Sequence, residues 1–176
     1  QALAKLLPDL SASFPIPIAL VQHMPPKFTA SLAQSLDRKC ALTVSEAKDG
    51  DRMTKGHVLV APGGRHMKLT KDGFGVNVTL TDDPPEQACR PAVSHLFWSA
   101  AEIYGGNVLA VILTGMGEDG LEGGRELLKR GAQLIAQDRP TCTVWGMPKR
   151  VAEEGVACAT YPLDDLAGLL TEVCKR

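Results

Sequence analysis

A histidine and an aspartate each stand directly after a predicted strand, in loops where side chains can do chemistry. His23 follows the apolar run that ends at Val21, and Asp119 lies in the loop after the apolar run that ends at Leu113. Ligands of an open parallel sheet bind outside the carboxyl ends of its strands, so we expect both side chains at one edge. An aspartate there can hold the tautomer of a histidine that takes and returns a nucleophile's proton. The pattern therefore predicts two members of a Ser-His-Asp arrangement.

The loop that carries Asp119 is rich in glycine, with Gly115, Gly117 and Gly120 among its residues. Glycines let backbone N–H groups approach an anion closely, as an oxyanion hole requires. A second interpretation is a nucleotide-binding α/β module in which this loop cradles phosphate. That interpretation is disfavoured because the loop has neither the G-x-G-x-x-G pattern nor a P-loop Lys-Ser/Thr pair. A structural histidine beside a glycine turn is the plainest alternative.

Strands and helices alternate along the chain that must position these loops. The chain opens inside an amphipathic helix. Short β-prone runs lie at 42–45, 57–60, 67–70 and 75–80, and the turn signal Lys71-Asp72-Gly73 between the last two predicts a hairpin. The remaining predictions are strands at 18–21, 107–113 and 133–136, and helices at 28–37, 91–104, 121–130, 148–154 and 162–174. This order predicts the α/β class: a doubly wound, mostly parallel sheet flanked by helices, with a small inserted β-hairpin.

Composition narrows the class of protein. The 176 residues are 44% hydrophobic and carry a formal net charge of −1, which argues against disorder and against a basic nucleic-acid surface. The longest apolar runs are far shorter than the roughly 20 residues that span a bilayer, so we expect no membrane insertion. The five cysteines contain no C-x-x-C pair, which predicts reduced thiols in the cytoplasm rather than a disulfide framework or a zinc site.

Four strings occur in a fixed order along the chain. They are Gln22-His23-Met24-Pro25-Pro26, then 113–117 (L-T-G-M-G) with Asp119-Gly120, then Ala136-Gln137-Asp138, then Gly146-Met147-Pro148. Together with 61–66 (A-P-G-G-R-H) and 90–93 (R-P-A-V), they resemble the CheB family of bacterial chemotaxis protein-glutamate methylesterases. The resemblance runs from the first residues to the last helix.

The resemblance implies an α/β esterase domain with a Ser-His-Asp triad and no cofactor or metal. It would hydrolyse glutamate γ-methyl esters on the cytoplasmic helical bundle of chemoreceptors, and family members also deamidate particular glutamines. His23 matches the family's catalytic histidine and Asp119 its catalytic aspartate, while the backbone N–H of Met116 matches the group that stabilises the oxyanion. A regulatory receiver domain usually accompanies this enzyme.

One departure from the family concerns the nucleophile, which lies in a strand-to-helix turn written S-T-G-G just before the opening helix. The sequence does not contain that string, and we expect none of its serines to replace it: Ser11, Ser13, Ser31, Ser35, Ser45, Ser94 and Ser99. We therefore expect residues 1–176 to be one methylesterase catalytic domain without its first strand, nucleophile turn and receiver domain. A non-catalytic receptor-binding relative is the alternative.

Four further aromatic side chains are weaker candidates. His57 and His95 are expected at the surface or in packing. His66 lies in a loop beside Arg65 and could either pack or contact substrate. Trp145 precedes the glycine of the fourth string, where it could line the site or belong to the core.

Overall fold

A computed structural model describes residues 1–175, in which strands and helices alternate as the sequence predicted. The helices are α1 (Ala2–Leu6), which continues as a 3₁₀ turn (Leu7–Asp9), α2 (Phe28–Asp37), α3 (Val93–Tyr104), α4 (Leu121–Lys129), α5 (Met147–Glu153) and α6 (Leu163–Val173). The strands are β1 (Ile18–Leu20), β2 (Thr43–Glu46), β3 (His57–Val60), β4 (His66–Asp72), β5 (Gly75–Thr81), β6 (Leu109–Ile112), β7 (Gln133–Gln137) and β8 (Ala159–Tyr161).

The strands form two parallel sheets and one antiparallel hairpin. The first sheet has the order β1-β3-β2 and the second has the order β6-β7-β8, with every pair parallel. Strands β4 and β5 pair antiparallel around the predicted turn. The predicted fold class is therefore confirmed, while β8 was not predicted because its Ala-Thr-Tyr segment does not form an apolar run.

Helices cover both faces of the parallel strands. Leu6, Leu36 and Leu166 pack from α1, α2 and α6 into one buried cluster that includes residues of both sheets. Helices α3, α4 and α5 contribute to a second buried cluster, which includes Phe97 and Leu127. The hairpin packs against α3 in a third cluster. These clusters hold the loops that follow β1 and β6 on a rigid frame.

An apolar cavity of about 690 Å³ separates β1 from β6. Strand β1 is hydrogen-bonded to β3 and strand β6 to β7, so each presents its other edge to the cavity. Residues along the whole of both strands line it, together with α1 and the α3 side chains Leu96 and Phe97.

Within residues 1–175, none of the helices has both the length and the apolar character that a bilayer span requires.

Candidate active site

The structure brings His23 and Asp119 together, although 96 residues separate them in the chain. They lie in the loops that follow β1 and β6, and His23 Nε2 is 2.6 Å from Asp119 Oδ2. The Asp119 side chain is 2% exposed, whereas that of His23 is 25% exposed. A buried carboxylate therefore faces an imidazole that solvent and substrate can reach.

The N-terminus of α3 holds the carboxylate of Asp119. The backbone N–H of Val93 donates to Oδ2 at 2.6 Å, and that of Ser94 donates to Oδ1 at 3.1 Å. The Ser94 hydroxyl also accepts a hydrogen bond from the N–H of Gly120, at 3.1 Å. Because a helix N-terminus carries partial positive charge, it fixes the carboxylate and favours its ionised form.

Opposing effects set the pKa of Asp119. Burial raises the pKa of this carboxyl, while hydrogen bonds from His23, Val93 and Ser94 lower it, and the net result is a pKa below the ordinary value of 3.8. Asp119 is therefore ionised at neutral pH, which suits a group that stabilises a neighbouring imidazolium.

The second ring nitrogen of His23 is left for another partner. Because Asp119 is an anion, the Nε2–H of His23 donates to it, and Nδ1 then carries the lone pair. Among residues 1–175, no protein group is hydrogen-bonded to Nδ1, and no serine is hydrogen-bonded to His23. His23 also borders the cavity between β1 and β6. The imidazole can thus accept a proton from a group placed where the cavity reaches His23.

The loop that contains Met116 is held from behind by the segment before α5. Gly115 donates its N–H to the carbonyl of Val144 at 3.2 Å, and its own carbonyl accepts from Met147 N–H at 2.8 Å. A Cβ at Gly146 would lie 2.5 Å from the Gly115 oxygen, so only glycine fits between the two segments. In the described part of the chain, the Met116 N–H has no protein acceptor. It is a donor available to an anion.

A glycine contact also supports the loop of His23. A Cβ at Gly63 would lie 2.4 Å from the carbonyl carbon of Pro25, two residues after His23. The N–H of Gly63 donates to the hydroxyl of Thr29 at 2.9 Å, and Thr29 is fully buried. This close approach of two backbone segments holds the His23 loop in position.

Sequence reasoning missed Cys89, which lies at the same place. One ligand atom from each of His23, Cys89 and Asp119 lies within 4.8 Å of the other two. Burial, and secondarily the charge of Asp119, raises the pKa of the Cys89 thiol above its ordinary value. No motif signals this contact, because Cys89 comes from a long polar loop without periodicity.

The weaker candidates lie in different surroundings. His66 is fully buried, with Nε2 3.0 Å from the Pro84 carbonyl and Nδ1 accepting from the Ala92 N–H. It stacks on His95, with ring centroids 3.7 Å apart, so it does not reach the site. His57 is hydrogen-bonded to a serine of β2, and Trp145 is half-buried in the segment behind the Met116 loop.

The chain is similar to proteins of one known family. The sequence model of the family described as CheB methylesterase matches residues 1–170. A protein-glutamate methylesterase/protein-glutamine glutaminase from Desulfotalea psychrophila is 44% identical over 99% of the chain and 49% of its own length. A protein of the same name from Trichodesmium erythraeum is 47% identical over 100% of the chain and 49% of its own length.

A solved structure has the same architecture. The crystal structure of the Thermotoga maritima CheB methylesterase catalytic domain superposes with a TM-score of 0.96 at 44% identity, covering 98% of this chain and 91% of that one. The chain spans about half the length of the curated relatives that it matches.

Proposed function

Because the chain belongs to the CheB methylesterase family, we propose that it hydrolyses glutamate γ-methyl esters on chemoreceptors. Its curated relatives are also named glutaminases, so the proposal includes deamidation of glutamine side chains. The observation that carries it is the 2.6 Å hydrogen bond between a solvent-accessible His23 and a buried Asp119 whose pKa is lowered. That pair is the base and its orienting acid in serine-type hydrolysis.

The mechanism assigns one step to each group. Nδ1 of His23 takes the proton of a serine hydroxyl as its oxygen attacks the ester carbonyl, and Asp119 stabilises the imidazolium. The Met116 N–H faces the oxyanion of the tetrahedral intermediate. His23 then returns the proton to the departing methoxide, which leaves as methanol. Water cleaves the acyl-enzyme by the same proton transfers; in deamidation the first leaving group is ammonia.

The nucleophile is proposed to lie outside these 176 residues. Residues 1–176 then form one catalytic domain that is completed by a further strand, whose carboxyl end carries the serine turn. The cavity between β1 and β6 supports this, since two free parallel edges border it along its length. A strand there would end beside the loops of His23 and Asp119. The proposal also includes a regulatory receiver domain in the whole protein.

The partner is proposed to be the cytoplasmic helical bundle of the receptor. Exposed apolar side chains surround the site: Phe28 is 60% exposed, Met116 83% and Val144 44%. Phe28 begins the helix after the His23 loop, and Val144 pairs with the Met116 loop. These side chains offer a helix an apolar rim, and the free thiols suit a reducing cytoplasm.

Methanol release from a methylated receptor fragment tests the proposal. The protein encoded by the complete reading frame should release methanol, and the same protein with His23→Ala should not. The 176-residue chain alone should show little activity and a lower melting temperature, because two sheet edges lack partners. Full activity of the short chain would refute the external nucleophile. Binding of receptor without methanol release by the complete protein would favour the non-catalytic alternative.

A further inference from the structure

Three different donor atoms converge beside the candidate catalytic pair. His23 offers a ring nitrogen, Cys89 a sulfur and Asp119 a carboxylate oxygen, and all three atoms lie within 4.8 Å of one another. We propose that these residues form a binding site for a thiophilic divalent cation of the Zn²⁺ class. Occupancy would switch off the hydrolase. The binding itself is independent of the proposed function, whereas the inhibition rests on it.

The donor set matches the coordination chemistry of zinc. Zn²⁺ binds imidazole nitrogen, thiolate sulfur and carboxylate oxygen in a tetrahedron, whose ligand atoms lie about 3.3 to 3.8 Å apart. The observed atoms must shift to reach that spacing, and His23, whose side chain is 25% exposed, is less tightly enclosed than Asp119. Asp119 is already oriented by the Val93 and Ser94 N–H groups, which act as supporting donors to a metal ligand.

The cation also has a path to the ligands. A surface pocket of about 390 Å³ is lined by Cys89, Asp119 and the Met116 loop, with Glu118 and Arg150 at its rim. Glu118 and Arg150 are paired with each other, and Asp119 has no charged partner among the residues that line the pocket. Two of the three ligands, Cys89 and Asp119, line this space, so a water molecule there can take the fourth position of the tetrahedron.

A tight turn places Cys89 over the pair. Glu86 and Cys89 exchange both backbone hydrogen bonds, at 3.1 and 2.8 Å. The two residues between them, Gln87 and Ala88, have φ of 50° and 60°, a conformation that side-chain-bearing residues rarely adopt. The turn therefore fixes the thiol at an energetic cost.

Binding would remove the catalytic hydrogen bond. The cation takes Nε2 of His23, so the ring proton moves to Nδ1 through solvent, and the Cys89 thiol releases one proton to solvent as its sulfur bonds the metal. Charge and protons balance without any redox change. With Nδ1 protonated and Nε2 occupied, His23 cannot accept the proton of a nucleophile.

Direct metal titration of the protein from the complete reading frame tests the site. We expect calorimetry with Zn²⁺ to give one cation bound per chain, and Cd²⁺ to give the ultraviolet thiolate-to-metal charge-transfer band. Cys89→Ser should weaken binding at least tenfold and remove the band, and His23→Ala should also weaken binding at least tenfold. Thermal melts check that both variants fold.

Cys142→Ser is the matched control, because Cys142 is another half-buried thiol whose pKa is raised by burial and which lies outside the cluster. Its Zn²⁺ affinity should equal that of the wild type. The proposal is wrong if the wild type binds no cation, if Cys89→Ser binds as tightly, or if Cys142→Ser loses binding equally. Binding without inhibition of methanol release would overturn only the inhibitory consequence. Failure of the proposed function would leave the titration unaffected.

Discussion

Asp119 and His23 share one hydrogen bond, but the protein holds them in opposite ways. Two N–H groups of α3 and the imidazole fix Asp119, which is almost completely buried. His23 has a single side-chain partner, is a quarter exposed, and sits in a loop supported by the contact of Gly63 with Pro25. Asp119 is thus part of the folded core, whereas His23 is held beside the core by the backbone packing of its loop.

This difference matches the role that we propose for each group. In the proposed mechanism the Asp119 carboxylate keeps one charge and one position throughout the reaction, so burial and several donors suit it. In the same mechanism His23 receives a proton from one atom and delivers it to another, so it needs a ring that solvent and substrate can reach. Loss of Asp119 should therefore damage the fold and the chemistry together, whereas loss of His23 should damage the chemistry alone.

The largest effect is expected from substituting the pair itself. His23→Ala and Asp119→Asn should each lower the rate of methanol release by about 10⁴-fold or more, because the members of a triad act as a unit. Only Asp119→Asn should also lower the free energy of unfolding, by about 1–3 kcal/mol, since an amide leaves a buried N–H donor unsatisfied. Denaturant melts of both variants measure this contrast. Equal destabilisation by the two substitutions would contradict it.

A smaller effect is expected behind the Met116 loop. Gly146→Ala places a Cβ against the Gly115 carbonyl and the Met116 Cα, so the loop must move. If the Met116 N–H stabilises the oxyanion, the turnover number should fall by about 10²-fold with little change in KM. Gly168→Ala is the control, because that site in α6 has open space around it. Unchanged turnover in Gly146→Ala would argue against a role for this loop.

The His23 side should respond to its glycine contact. Gly63→Ala puts a Cβ into the Pro25 carbonyl group and displaces the loop that carries His23. A misplacement of about 1 Å can cost up to roughly 10²-fold in rate, so we expect a 10- to 100-fold loss of activity. Gly73→Ala, in the hairpin turn with no atom nearby, should leave the rate unchanged. Similar rates for the two variants would show that the contact does not position His23.

The asymmetry also explains which parts of the site the sequence could predict. His23 and Asp119 were predictable because each follows an apolar run, and parallel strands bring their carboxyl ends to one edge. Three other features could not be predicted: the N–H groups of α3 that donate to Asp119, the Gly63 contact and the position of Cys89. Each is a tertiary contact between two segments whose sequences show no common pattern. Strand β8 was not predicted because its Ala-Thr-Tyr segment is not an apolar run. The catalytic roles of His23, Asp119 and Met116 remain predictions.

The smallest effect is expected in the pH dependence of stability. The pKa of Asp119 is lowered in the folded protein, so its ionised form stabilises the fold above its unfolded pKa of about 3.9. That contribution is lost as the pH falls through the folded pKa. The stability difference between wild type and Asp119→Asn should therefore be constant above about pH 5 and narrow below pH 4.

Asp72 is the matched control. Its pKa is also lowered, by hydrogen bonds from Phe74 and Asn77. It lies exposed on the hairpin, however, where solvent weakens such contacts. Unfolding free energies are measured from pH 6 to pH 3. Over this range the difference between wild type and variant should narrow clearly for Asp119→Asn and only slightly for Asp72→Asn. Equal narrowing for both would mean that the donors of α3 hold Asp119 no more firmly than a surface turn holds Asp72.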